Sequence, residues 1–101
     1  MNLSEHKKSI LRRYFTGRPI RKAYLFGSYA RNEAGINSDI DLLVELDHSR
    51  PIGMQFFSYQ IELENLLQIK VDLVSNEGVS KYIRPAIDKE KILIYERDNN
   101  G

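Results

Sequence analysis

With 101 residues, the chain has room for one hydrophobic core and little else. Its composition, 42% hydrophobic and 29% charged, is that of an ordinary globular domain, and a formal net charge of +1 argues against binding nucleic acid through bulk charge. Cysteine is absent, which excludes a disulfide framework, a thiol nucleophile and a cysteine-ligated zinc site; that absence, and the lack of any signal-like or membrane-length apolar run, make a cytoplasmic protein the expectation.

Ser4 is placed to cap a helix over 4–16, which Gly17 and Pro19 stop. Ile10, Leu11, Tyr14 and Phe15 share one face of it. The basic residues of this region, Lys7, Lys8, Arg12, Arg13, Arg18, Arg21 and Lys22, read as solvated faces in preference to a nucleotide-facing patch. Residues 22–26 form a buried strand ending at Gly27, 28–33 a short helix, and 34–38 a turn containing Gly35 and Asn37. A second strand over 39–46 alternates Ile40, Leu42 and Val44 with Asp39, Asp41 and Leu43.

A long helix is expected over 53–68, with Phe56, Tyr59, Leu63, Leu66 and Leu67 at helical spacing. Phe56, Phe57 and Tyr59 are more than one stripe needs, so Phe57 or Tyr59 is a candidate to face a partner, although a bulky buried helix is the commoner explanation. Residues 69–75 make a third strand. Val79, Tyr82, Ile83, Ala86 and Ile87 fit a last amphipathic stretch that Pro85 divides, with proline opening the second piece. Residues 92–95 close as a short strand. Alternating strands and helices give an α/β (α+β) fold, a small mixed sheet with helices packed against it. One domain is expected over 1–97, with 98–101 a frayed, disordered tail.

The chemistry concentrates in three places. Asp39 and Asp41 are two apart on a strand and so project from one face, where their charges repel unless a cation lies between them. Magnesium suits such a pair, since it binds carboxylates, waters and substrate phosphates. Alone the pair is a weak signal, more readily read as two solvated aspartates at a strand edge. Asp72 strengthens it: an aspartate between Val71 and Leu73 is costly if buried and unpaired, and becomes a third carboxylate of one site if its strand lies beside the second. Gly27 and Ser28 supply a turn that lets backbone approach a phosphate, and a helix opening there would add its free amides. Arg31 follows one turn later with a guanidinium fork. Among nearby groups, Glu45 alternates onto the Asp39–Asp41 face and Lys70 onto that of Asp72; these, with Glu33, His6 and His48, read as surface residues.

Gly27-Ser28-Tyr29-Ala30-Arg31, Ser38-Asp39-Ile40-Asp41-Leu42-Leu43-Val44 and Val71-Asp72-Leu73-Val74 together resemble the nucleotidyltransferase superfamily of DNA polymerase β. The closest resemblance is to its minimal nucleotidyltransferase (MNT) group, often the antitoxin half of HEPN/MNT toxin–antitoxin pairs. It covers nearly the whole chain and implies the nucleotidyltransferase fold. It also implies Mg2+-dependent transfer of a nucleoside monophosphate from a triphosphate to a hydroxyl. By that resemblance Asp39, Asp41 and Asp72 are the catalytic, metal-binding carboxylates, and Gly27, Ser28, Arg31 and Ser38 are the nucleotide-binding residues. Many relatives have glycine after the arginine. Here Asn32 stands there, and asparagine tolerates left-handed backbone well enough to keep the turn.

A chain of this size carries no acceptor domain, so the acceptor is expected from outside. The resemblance implies ATP as donor and a tyrosine of a HEPN-domain toxin as acceptor, in a homo- or hetero-oligomer. The alternatives are an antitoxin that acts by binding alone and a transferase for a small molecule such as an antibiotic.

Overall fold

The computed structural model describes residues 2–97. The expected tail at 98–101 lies outside the described residues. The elements are α1 (Glu5–Phe15), β1 (Ile20–Phe26), β2 (Ile40–Leu46), α2 (Gln55–Leu67), β3 (Val71–Ser75), a 3-10 turn (Asn76–Gly78), α3 (Arg84–Glu90) and β4 (Ile92–Glu96).

Helix α1 begins where the sequence places it. Ser4 Oγ accepts the amide of Lys7, Glu5 lies in the first turn, and Arg12 and Arg13 lie in the last, each charge complementing the helix dipole. Helix α2 ends at Gln68, which adopts a left-handed conformation with φ of 58°. Pro85 sits in the first turn of α3, as its missing amide proton favours.

The four strands form one mixed sheet in the order β3-β2-β1-β4. Strand β1 pairs antiparallel with both β2 and β4, whereas β2 and β3 run parallel. The parallel pair requires a crossover, and α2 provides it. Leu11, Tyr14 and Phe15 of α1 and Tyr59, Leu63 and Leu67 of α2 join one core with Ala23, Leu25, Ile40, Leu42, Val44, Val71 and Leu73 of the sheet. Tyr14 meets Tyr59 edge-to-face at 6.0 Å between ring centroids. Leu43 and Ile87 are buried outside this cluster, and by the strand alternation Leu43 faces the opposite side of the sheet.

Helix α2 also covers the edge of the sheet. Gln60 accepts the amide of Leu73 and Glu64 the amide of Val71, so both of these β3 donors are paired with side chains. On the outer side of α2, Phe57 is 67% exposed, while Tyr59 is only 5% exposed. Of the two aromatics considered for a partner surface, Phe57 fits and Tyr59 belongs to the core. Leu66, expected on the buried stripe, is 52% exposed, while Leu63 and Leu67 on either side of it in sequence are buried.

The largest departure from the sequence expectation is at 28–33. These residues are not a helix but a single wound turn, in which Gly27 O accepts the amide of Arg31 and Ser28 O that of Glu33. Asn32 terminates it with a φ of 59°. A left-handed residue stops a helix, so the segment cannot propagate. Strands β2 and β3 start later than expected, with Asp39 preceding β2 and Ile69 and Lys70 preceding β3, whereas β1 starts earlier, at Ile20.

Candidate active site

The register of the sheet assembles the site. Asp41 is the partner of Asp72 across the parallel β2–β3 pair, and Phe26 is the partner of Asp41 across β1–β2. Gly27, one residue beyond Phe26, therefore lies against Asp41. A Cβ built on Gly27 would stand 2.1 Å from Asp41 Oδ2, and its φ of 74° is one that side chains disfavour. No other residue can hold this turn so close to the carboxylate.

Asp39 stands just before β2, one alternation from Asp41. Burial and the neighbouring charges of Asp72 and Asp39 push the Asp41 carboxyl up to about 6, with Arg31 acting in the opposite direction and Glu90 adding to the rise. Asp39 and Asp72 are themselves exposed. The three expected carboxylates are thus coupled, with Asp41 at their centre.

Among the described residues, no three His, Cys, Asp or Glu side chains already stand together as a metal cage. The donor set nonetheless fits Mg2+, a hard cation that takes one or two carboxylates, keeps several waters and completes its shell with substrate phosphate. Asp41, Asp72 and Asp39 offer carboxylate oxygens only, and the mutual repulsion that raises Asp41 is what a bound divalent cation relieves.

The residues expected to contact phosphate are placed less as expected. Ser28 is half-buried behind Gly27. Arg31 does not project freely: its Nη1 donates to Glu90 Oε2 at 2.9 Å and to Oε1 at 3.3 Å, and its Nε donates to Glu33 at 3.3 Å. Ser38 Oγ accepts the amide of Gly35 at 2.8 Å, closing the loop that leads into Asp39. Without a helix at 28–33, a helix dipole is not available, and the polar groups this segment offers are turn amides, the Ser28 hydroxyl and Arg31.

Glu90 is the residue that sequence reasoning missed. Its Oε2 accepts the Gly27 amide at 2.7 Å as well as the Arg31 guanidinium. The cause is topological: Leu25 pairs with Ile92 in the antiparallel β1–β4 pair, so two residues forward in β1 and two back from β4 bring Gly27 to Glu90. Only that register would have pointed to it.

The remaining polar candidates are occupied elsewhere. Tyr24 donates to Glu45, and His48 pairs with Glu77 at 2.8 Å. The basic residues near the N-terminus are dispersed over separate partners: Lys8 to Glu5, Arg12 to the carbonyl of Ile94, Arg18 to Glu62 and the Tyr14 carbonyl, and Lys22 to Glu96.

Residues 6–100 match the family described as Polymerase beta, Nucleotidyltransferase. This chain belongs to that family. A nucleotidyltransferase domain of this kind is an enzyme fold, and the chain's relatives carry names to match. A Methanocaldococcus jannaschii protein, provisionally named a protein adenylyltransferase, is 39% identical over 93 residues, covering 91% of this chain and 90% of its own. Protein adenylyltransferase MntA of Thermococcus cleftensis is 33% identical over 92 residues, covering 91% and 88%.

Solved structures agree on the nucleotidyltransferase fold. A structure provisionally described as a minimal nucleotidyltransferase is 33% identical with a TM-score of 0.65, covering 87% of this chain and 85% of that one. A complex described as a tri-AMPylated Shewanella oneidensis HEPN toxin with MNT antitoxin has a TM-score of 0.72 at 17% identity, covering 97% and 76%. A toxin–antitoxin structure with AMP-PNP has a TM-score of 0.73 at 22% identity, covering 96% and 77%. At such identities the last two speak for the fold alone.

Proposed function

We propose that this nucleotidyltransferase moves AMP from ATP onto a tyrosine hydroxyl of a HEPN-domain toxin and, by modifying it, acts as its antitoxin. The observation that carries the reading is the juxtaposition of Asp41 with Asp72 across β2–β3, beside the side-chain-free turn at Gly27. The names of the adenylyltransferase relatives and the AMPylated HEPN toxin in the structurally similar complex support the choice of donor and acceptor.

In this reading Asp39, Asp41 and Asp72 hold Mg2+, which when bound neutralises the triphosphate and lowers the pKa of the attacking hydroxyl. Gly27 and Ser28 seat the phosphates, and the Arg31 guanidinium balances the charge that gathers on the departing pyrophosphate. The acceptor oxygen bonds to the α-phosphorus as its proton passes to the nearby Asp72 carboxylate, the bond from the α-phosphorus to the bridging oxygen breaks, and pyrophosphate leaves. Asp72 is the exposed carboxylate of the pair and so the one suited to orient the acceptor hydroxyl. Incubation with labelled ATP, Mg2+ and the co-expressed toxin tests this. Label on the toxin, lost in the Asp39→Ala/Asp41→Ala double variant, is expected; full labelling by that variant would sink the assignment.

A second reading, neutralisation by binding alone, draws on the exposed apolar face of α2, where Met54, Phe57 and Ile61 lie at helical spacing. It predicts that the double aspartate variant still neutralises the toxin in cells.

A further inference from the structure

Glu90 makes contacts that the proposed chemistry does not use. It is the last residue of α3, its side chain is 21% exposed, and its carboxylate receives the Gly27 amide and the Arg31 guanidinium together. An amide and a guanidinium converging on two oxygens form an anion-binding pair, the arrangement that recognises phosphate. Both donors are among the groups assigned above to the triphosphate, so the inference rests on that assignment. A phosphate that uses them meets a carboxylate already seated there.

A purely structural strut explains the contacts less well. The turn is already closed by the Gly27–Arg31 and Ser28–Glu33 backbone bonds, and Glu33 gives Arg31 a second partner. Glu90 also adds negative charge beside Asp41, which works against gathering carboxylates there. The cost of seating a further carboxylate beside Asp41 in the metal-free site and the match to a phosphate's contacts point the same way.

We propose that Glu90 is an intramolecular stand-in for phosphate: the triphosphate displaces it from Gly27 and Arg31, and this competition sets the affinity for nucleotide. The groups around it are Gly27, Arg31 and, more distantly, Asp41. Glu90 ends a short helix that leads directly into edge strand β4. Its side chain can therefore rotate away from the turn without breaking the sheet pairing of Ile92 with Leu25.

The test is nucleotide affinity, measured by calorimetry with Mg2+ and a non-hydrolysable ATP analogue. Four proteins are compared: wild type, Glu90→Gln, Arg31→Ala and the double variant. Glu90→Gln is expected to tighten binding about threefold to tenfold, the scale of a partly exposed charge-assisted contact no longer competing. In the Arg31→Ala background the same change should give less than half that gain in free energy, because the competition runs through the guanidinium. Glu90→Asp, which keeps the charge but shortens the reach, should also tighten binding and provides a second variant if Gln disturbs the turn.

Unchanged or weaker binding in both Glu90 variants overturns the proposal, since a strut would then be what Glu90 is. A gain that persists undiminished without Arg31 overturns it too, since it would reflect only removed charge. If Arg31→Ala alone leaves affinity unchanged, the phosphate assignment itself fails, a result separable from the first two.

Discussion

Asp41 and Asp72 stand opposite one another in the parallel pairing of β2 with β3, and both carboxylates leave the sheet on the face away from the α1–α2 core. Parallel pairing is what makes this a site. It aligns residues from two strands that only α2 connects, and it puts Gly27 of the neighbouring strand beside them.

The closest contact gives the sharpest substitution. Gly27→Ala places a Cβ against Asp41 at a positive φ, so either the turn or the carboxylate must shift. We expect a stability loss of about 1–3 kcal/mol from the strained backbone. Nucleotide transfer should fall about 100-fold or more, because displaced reacting groups lose their alignment. Thermal melts and initial transfer rates on the same preparation separate the two effects.

The Asp41 carboxyl, held up near 6, has a definite pH signature in the metal-free protein. Its folded pKa lies above its unfolded value, so the folded state binds the proton more tightly. The stability this contributes is full below the unfolded pKa and is lost as pH rises through about 6. Asp41→Asn should therefore stabilise the fold above pH 6 by about 1 kcal/mol once solvent screening is allowed for, seen as a higher melting temperature there. Mg2+ should stabilise wild type more at pH 8 than at pH 5, and the variant less than wild type at either. A melting series at the two pH values, with and without Mg2+, checks both.

Asp47 behaves with the opposite sign. The Ser49 hydroxyl, the Arg97 guanidinium and the Ser49 amide hold its carboxyl well below the usual range. Arg97 Nη1 donates to it at 2.6 Å, which ties the end of β2 to the residue after β4. Stability from this group is present above the unfolded pKa and is lost as pH falls through the folded one. Asp47→Asn should lower the melting temperature at pH 7 and flatten its decline below pH 4, while leaving nucleotide affinity unchanged. Melts from pH 7 down to pH 2 test it.

Helix α2 carries core on one face and surface on the other. Leu63→Ala, at a fully buried position, should cost about 2–5 kcal/mol. Phe57→Ala, at an exposed one, should change stability by less than about 0.5 kcal/mol. If the outer face of α2 meets the toxin, Phe57→Ala weakens the complex without altering the melt, which titration of the two purified proteins would show.

Most of the fold was legible because its signals are local. The Ser4 cap, the alternation from Ile40 to Val44 and the proline at 85 each act within one turn or strand, and the strands and main helices follow them. The carboxylate trio was legible for a similar reason: Asp72 is out of place in an apolar strand unless something compensates it. The segment at 28–33 was misread because Asn32, correctly expected to tolerate left-handed backbone, also ends the helix before it forms. Glu90 was invisible because its position depends on which residue of β4 pairs with Leu25, a long-range register that no short pattern encodes.

The most direct test of the central claim is the intact mass of the HEPN-domain toxin after incubation with this protein, ATP and Mg2+. The account predicts mass steps of whole AMP units on the toxin, absent when Asp39→Ala/Asp41→Ala replaces the wild type. A toxin of unchanged mass that is nonetheless neutralised, or equal mass steps with the double variant, would contradict it.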